Sequence, residues 1–159
     1  MPTTHGIHHI TLICRDMDRT AKFYTEVLGL RLVKRTVNYD DPSSKHFYFG
    51  DASGSPGTVL TFFERPDGAQ AQMGVGIAHH LALTVKDEAE QLAWKERREA
   101  AGVAVAGPFD RTYFKSIYFH DPDGIIIEMA TEGPGFTADE PLEALGSRMI
   151  LPDSAKVRG

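Results

Sequence analysis

Three side chains offer this sequence its chemistry: His9 in "GIHHITLICRD" (6–16), His80 in "GIAHHLALTVKD" (76–87) and Glu128 in "GIIIEMA" (124–130). Each lies in a stretch that alternates like a β-strand, so residues two apart share a face. Ile7, His9, Thr11 and Ile13 fall on one face of the first stretch. His80, Ala82 and Thr84 do so in the second, and Ile126, Glu128 and Ala130 in the third. A carboxylate in so apolar a strand is costly unless something pairs with it. A salt bridge at a strand edge would serve, and so would a metal ion. Two neutral imidazoles and one carboxylate on one side of a metal make the set that holds non-haem Fe(II), with the other side open.

An internal repeat must position them. His9 and Asp16 recur 71 positions later as His80 and Asp87. Helix-like stretches follow each aspartate and reach Gly29 and Gly102, suited to left-handed helix caps. Short strand-like runs come next: "RLVKRTV", "KHFYFG" and "TVLTFF" in the first half, "VAVAG", "KSIYFH" and "IIIEMA" in the second. The turns "GSPG" and "DPDG" precede the last strand of each. Each half therefore reads β-α-β-β-β. The expected fold is α+β, one domain over 1–159. Its two βαβββ modules, about 6–64 and 76–131, pair into a curved mixed-sheet cup around a metal site, with a linker at 65–75 and a tail at 132–159. The apolar faces should pack on the helices and the mixed faces should line the cup. With Gly57 aligned on Gly124, Thr61 matches Glu128, so the repeat supplies three ligand-type residues and not four. An amphipathic piece is expected over 140–151.

The 17 basic and 22 acidic residues give a net charge of −5, which argues against a general nucleic-acid binder. No apolar run approaches the roughly 20 residues needed to cross a bilayer. Cys14 is the single cysteine, so no internal disulfide can form, and no secretory pattern opens the chain. A cytoplasmic location is the expectation.

The paired modules, "FYTEVLGLRLV" and the His…His…Glu pattern resemble the vicinal oxygen chelate superfamily, which includes glyoxalase I, bleomycin-binding and fosfomycin-resistance proteins and extradiol dioxygenases. "GIHHIT", "LGLRLVKRTVNYDDP", "YFKSIYFHDPDGIIIEMAT" and "GPGFTADEPLEALG" resemble its ring-cleaving hydroquinone dioxygenases. The resemblance implies metal ligands at His9, His80 and Glu128, holding Fe(II), with Mn(II) or another divalent metal as the alternative. It implies supporting catalytic roles for His8, Arg111 and Tyr118, and a small aromatic substrate, a hydroquinone or catechol, opened by O2. Family members of that type are about twice as long, and this chain resembles their first module joined to their last; a homodimer is the expected replacement for the missing surface. Other chemistries of the superfamily are a glyoxalase-like lyase or isomerase, a fosfomycin-type thiol transferase and a non-enzymatic drug-binding protein. Thr61 argues against the first, which usually has a fourth ligand there. His46 and Tyr48 face the cup if alternation holds. His5 and His120 read as solvated or strand-end residues, and His79 has no assigned role.

Overall fold

The computed structural model describes residues 1–151. The fold is α+β and consists of two βαβββ modules, each with its own open, four-stranded mixed sheet. The first contains β1 (His9–Cys14), α1 (Met17–Lys22), β2 (Arg31–Asn38), β3 (Asp41–Gly50) and β4 (Val59–Glu64), in the sheet order β1-β4-β3-β2. The second contains β5 (Leu81–Val85), α2 (Glu88–Ala100), β6 (Ala106–Asp110), β7 (Lys115–His120) and β8 (Ile126–Thr131), ordered β5-β8-β7-β6. Two compact units result: Met1–Ile77 with the turn Asp121–Ile125, and Ala78–His120 with the described residues from Ile126 onward.

The repeated aspartates start the helices. Asp16 accepts from the Arg19 N–H at 2.8 Å and Asp87 from the Glu90 N–H at 2.9 Å, each satisfying a first-turn donor that the helix leaves unpaired. α1 is short, and Phe23–Val27 continues it as a widened turn in which the Leu28 N–H reaches the Phe23 carbonyl. Phe23 and Tyr24, neighbours in that turn, are both buried. Tyr24 packs its ring 4.7 Å from Phe62 and 5.7 Å from Phe49, centroid to centroid. This aromatic group, with Met17, Cys14 and Leu60, is the core of the first unit. The second unit buries Leu81, Val85, Ile117, Phe119, Ile127 and Met129. On α2 the residues turned inward are polar: Gln91 donates to the carbonyls of Lys115 and Met129, while Leu92 is exposed.

Two sequence expectations shift. The sequence pattern reads "VAVAG" as a strand, but Gly102 and Val103 still close α2: the Gly102 N–H bonds the Glu99 carbonyl and the Val103 N–H that of Arg98. Strand β6 therefore starts only at Ala106. The amphipathic piece expected over 140–151 reduces to one short turn, Leu142–Ala144, hemmed in by Pro141 and by Gly146 at φ +73°.

Candidate metal and substrate site

Sheet register tests which residues share a face. In the second unit Glu128 lies opposite Ala82 on β5 and opposite Tyr118 on β7. In the first unit Thr61 lies opposite Thr11 on β1 and Tyr48 on β3. Thr61 and Glu128 therefore hold the same place in their sheets, as the repeat alignment requires.

Glu128 is 3% exposed. Its Oε1 accepts from the Ser116 hydroxyl and, at 2.9 Å, from the Tyr118 hydroxyl, while Oε2 meets His80 Nε2 at 2.6 Å. Arg111 Nη2 stands 3.4 Å from the Tyr118 hydroxyl, and its guanidinium lies over the rings of Tyr118 and Phe109 at 5.7 and 5.3 Å. The second unit thus gathers His80, Glu128, Tyr118 and Arg111 along one line of contacts. Ser116 is the member that the sequence did not single out. Its signal was its strand position, two before Tyr118 in "KSIYFH", with alternation placing both on the face of Glu128.

His9 belongs to the first unit. β1 begins at His9 and β5 at Leu81, so His8, His79 and also His80, which the sequence pattern puts on a strand face with Ala82 and Thr84, precede their strands and are not bound by strand alternation. In both pairs the Nδ1 atoms face each other, 2.9 Å apart in His8–His9 and 2.8 Å in His79–His80. One nitrogen of each contact carries the proton and the other accepts it. Nε2 of His80 already meets Glu128, and Nε2 of His9 is the ring nitrogen left for another partner. A metal-bound histidine characteristically donates its second ring N–H to a carboxylate, a backbone carbonyl or water; here a neighbouring imidazole nitrogen takes that place. The donor set on Glu128 and His80 fits a divalent cation: a buried carboxylate fixed by two hydroxyls, with an imidazole nitrogen beside it. Among the described residues no group of three His, Cys, Asp or Glu side chains is drawn together as around an ion.

The first unit also has a cavity of about 590 Å³, whose lining includes His8, His9, Lys34, Arg35, Tyr39 and Tyr48. Among the described residues no acidic one lines it, although acidic residues outnumber basic ones in the chain. His46, behind Tyr48, is half-buried and contacts Thr61. His5 is exposed near the N-terminus, and His120 is exposed at the end of β7. No helix among the described residues is long and apolar enough to cross a membrane.

Known proteins resemble this chain in sequence and fold. A Bacillus subtilis (strain 168) protein with the provisional name ring-cleaving dioxygenase MhqE is 42% identical over 135 residues, 82% of this chain and 43% of that protein. The chlorohydroquinone/hydroquinone 1,2-dioxygenase of Sphingobium indicum is 33% identical over 143 residues, 86% of this chain and 44% of that protein. A crystal structure from Bacillus subtilis subsp. subtilis str. 168, provisionally described as a dioxygenase, has a TM-score of 0.77 and 38% identity. It covers 86% of this chain and 43% of its own. The chain thus spans less than half the length of these relatives. Residues 6–129, nearly everything from β1 through β8, match the model of one family, so the chain belongs to the glyoxalase/bleomycin resistance protein/dioxygenase superfamily.

Proposed function

We propose that this chain is a non-haem Fe(II)-dependent ring-cleaving dioxygenase acting on a hydroquinone or catechol, with His9, His80 and Glu128 as metal ligands. The observation that carries the reading is Glu128, a buried carboxylate that Ser116 and Tyr118 orient beside the Nε2 of His80. The names of two relatives, a ring-cleaving dioxygenase and a hydroquinone dioxygenase, support the reaction class. When bound, the metal ion would lower the pKa of a coordinated phenol and bring it together with O2.

The protein's own groups do the rest. Tyr118 hydrogen-bonds the carboxylate and so keeps Glu128 in one orientation. Arg111, stacked on Tyr118, supplies positive charge for a phenolate or for negative charge that develops on it. His8, hydrogen-bonded to His9, is positioned to exchange a proton with the substrate hydroxyl. Lys34 and Arg35 give the cavity a positive lining that favours an ionised phenol. Thr61 leaves a four-ligand isomerase site without its fourth ligand. Lys115 is paired with Glu88 at 2.7 Å, which removes a cation that a phosphonate-binding transferase would need.

The same reading includes a cytoplasmic location and a homodimer, in which a second copy covers Ile7, just before β1, and Ile13 on it, 67% and 62% exposed. The test is anaerobic loading with Fe(II), followed by O2 uptake with hydroquinones and catechols. Uptake that requires both iron and substrate is the expected result. Stoichiometric iron without uptake would remove the dioxygenase reading and leave a metal-dependent lyase or a drug-binding protein.

A further inference from the structure

Thr61 holds in the first sheet the place that Glu128 holds in the second, and its surroundings form a hydrogen-bonded line of definite direction. The Thr61 hydroxyl donates to Thr11 Oγ1 at 3.0 Å. A hydroxyl has one proton, so toward His46 Nε2, 2.8 Å away, Thr61 can only accept. His46 must then carry its proton on Nε2, and a neutral ring with that tautomer has Nδ1 free as an acceptor. The Tyr48 hydroxyl lies 3.2 Å from that Nδ1 and donates to it. The line runs Tyr48 to His46 to Thr61 to Thr11. Ring contacts hold it in place, with centroids 4.3 Å apart for His46 and Tyr48 and 4.2 Å for His46 and Phe63. Tyr48 also lines the cavity that contains His8 and His9.

We propose that Tyr48, backed by His46, is a catalytic proton acceptor for a phenol bound in this cavity; the proposal rests on the dioxygenase reading and adds a base to it. The substrate O–H gives its proton to the Tyr48 oxygen as Tyr48 passes its own to His46 Nδ1. The O–H bond of the substrate breaks and an N–H bond forms. The products are a phenolate and an imidazolium whose Nε2–H rests on Thr61. Tyr48 ends the step with its hydroxyl intact, donating to the new phenolate. Burial, and secondarily the charge of His9, hold His46 below the ordinary histidine pKa, so the ring is neutral and ready to accept at pH 7. The titratable groups bearing on the pair are His9 from β1, Lys34 from β2 and Tyr39 from the β2–β3 turn; Thr61 and Phe63 of β4 add none. The matching tyrosine of the second unit behaves differently, because Tyr118 donates to Glu128 and Ser116 stands at the place of His46.

The test uses the full chain in two states. In the metal-free protein, 4-nitrocatechol reports its own ionisation through its phenolate absorbance. Bound to the unsubstituted protein it should ionise at a pH about one lower than when bound to Tyr48→Phe or His46→Gln. In the iron-loaded protein, Tyr48→Phe should lower kcat/KM about a hundredfold. His46→Gln should abolish the acid limb of the pH profile, a readout that a purely structural role would not move. An unchanged ionisation profile in folded Tyr48→Phe overturns the proposal, and so does failure of the probe to bind the metal-free chain. If no phenol supports O2 uptake but the probe responds to Tyr48, the dioxygenase reading fails and the proton acceptor stands. Uptake with an indifferent probe gives the reverse.

Discussion

Removing the Ser116 hydroxyl separates a metal ligand from an ordinary ion pair. Glu128 Oε1 has two hydroxyl donors, Ser116 and Tyr118, and Oε2 has His80. Ser116 is fully buried and Glu128 nearly so, so no bulk water replaces a lost donor. A hydrogen bond to a charged group contributes about 1.5–3 kcal/mol. Ser116→Ala therefore weakens whatever requires Glu128 to be charged and oriented, by roughly 10- to 100-fold if that is a metal ion, the range typical of residues that support ligands. The assay is a titration of Mn(II) or Fe(II) against a competing chelator, beside urea denaturation of the metal-free chain. The expected result is weaker metal binding together with a loss of about 1–2 kcal/mol in folding stability. If the folded variant binds metal as tightly as the unsubstituted chain, Ser116 does not hold a ligand.

The turn Asp121–Ile125 gives a second test: the Tyr24 hydroxyl donates to Asp121 at 3.2 Å, with both residues buried, and Tyr24→Phe should cost about 1–2 kcal/mol in urea denaturation. Burial already raises the Asp121 pKa, which makes its ionisation a cost that appears as pH rises; losing the Tyr24 donor raises it further, so the penalty should be larger near pH 7 than near pH 4. Equal penalties at the two pH values would refute that account. Cys14 is 1% exposed and burial pushes its thiol up to about 11, so a thiol reagent should label the chain at neutral pH only after unfolding; labelling at equal rates with and without denaturant would contradict this.

Alternation and repeat were enough to place Glu128, Tyr118, Thr61 and Tyr48 on their faces, because a sheet has a period of two and register follows from it. The strands "KSIYFH" and "IIIEMA" also emerged nearly at their observed bounds, 115–120 and 126–131. Other features depend on atoms that a pattern does not contain. Alternation alone would send His8 away from His9. Because the strand begins at His9, His8 is free to turn its Nδ1 back to it. Hydrophobic pattern gave no reason to bury Gln91, whose amide is satisfied by two carbonyls of other segments. The start of β6 was misplaced because the cap on α2 uses Val103 through its backbone, which side-chain type does not reveal.

The different residues at one sheet position, Thr61 and Glu128, provide the sharpest test of the donor line in the first unit. Thr61→Glu would put a carboxylate beside His46, in a site whose counterpart tolerates a glutamate at 3% exposure. The carboxylate would accept from His46 Nε2–H and favour the imidazolium, raising its proton affinity by about tenfold to a thousandfold. The sign then inverts. In the unsubstituted chain the depressed His46 pKa contributes stability above about pH 6.5 that is lost as pH falls through the folded value. In the variant the raised pKa contributes stability present below about pH 6.5 and lost as pH rises through the new folded value. Once protonated, His46 becomes a donor at Nδ1 and can no longer accept from Tyr48, so the tyrosine loses its base while its ring stays in place. Proton NMR titration of the histidine rings reads this directly. If His46 titrates no higher in the variant, the ring does not take its Nε2 partner from position 61, the tautomer inferred from Thr61 is wrong, and Tyr48 has no acceptor behind it.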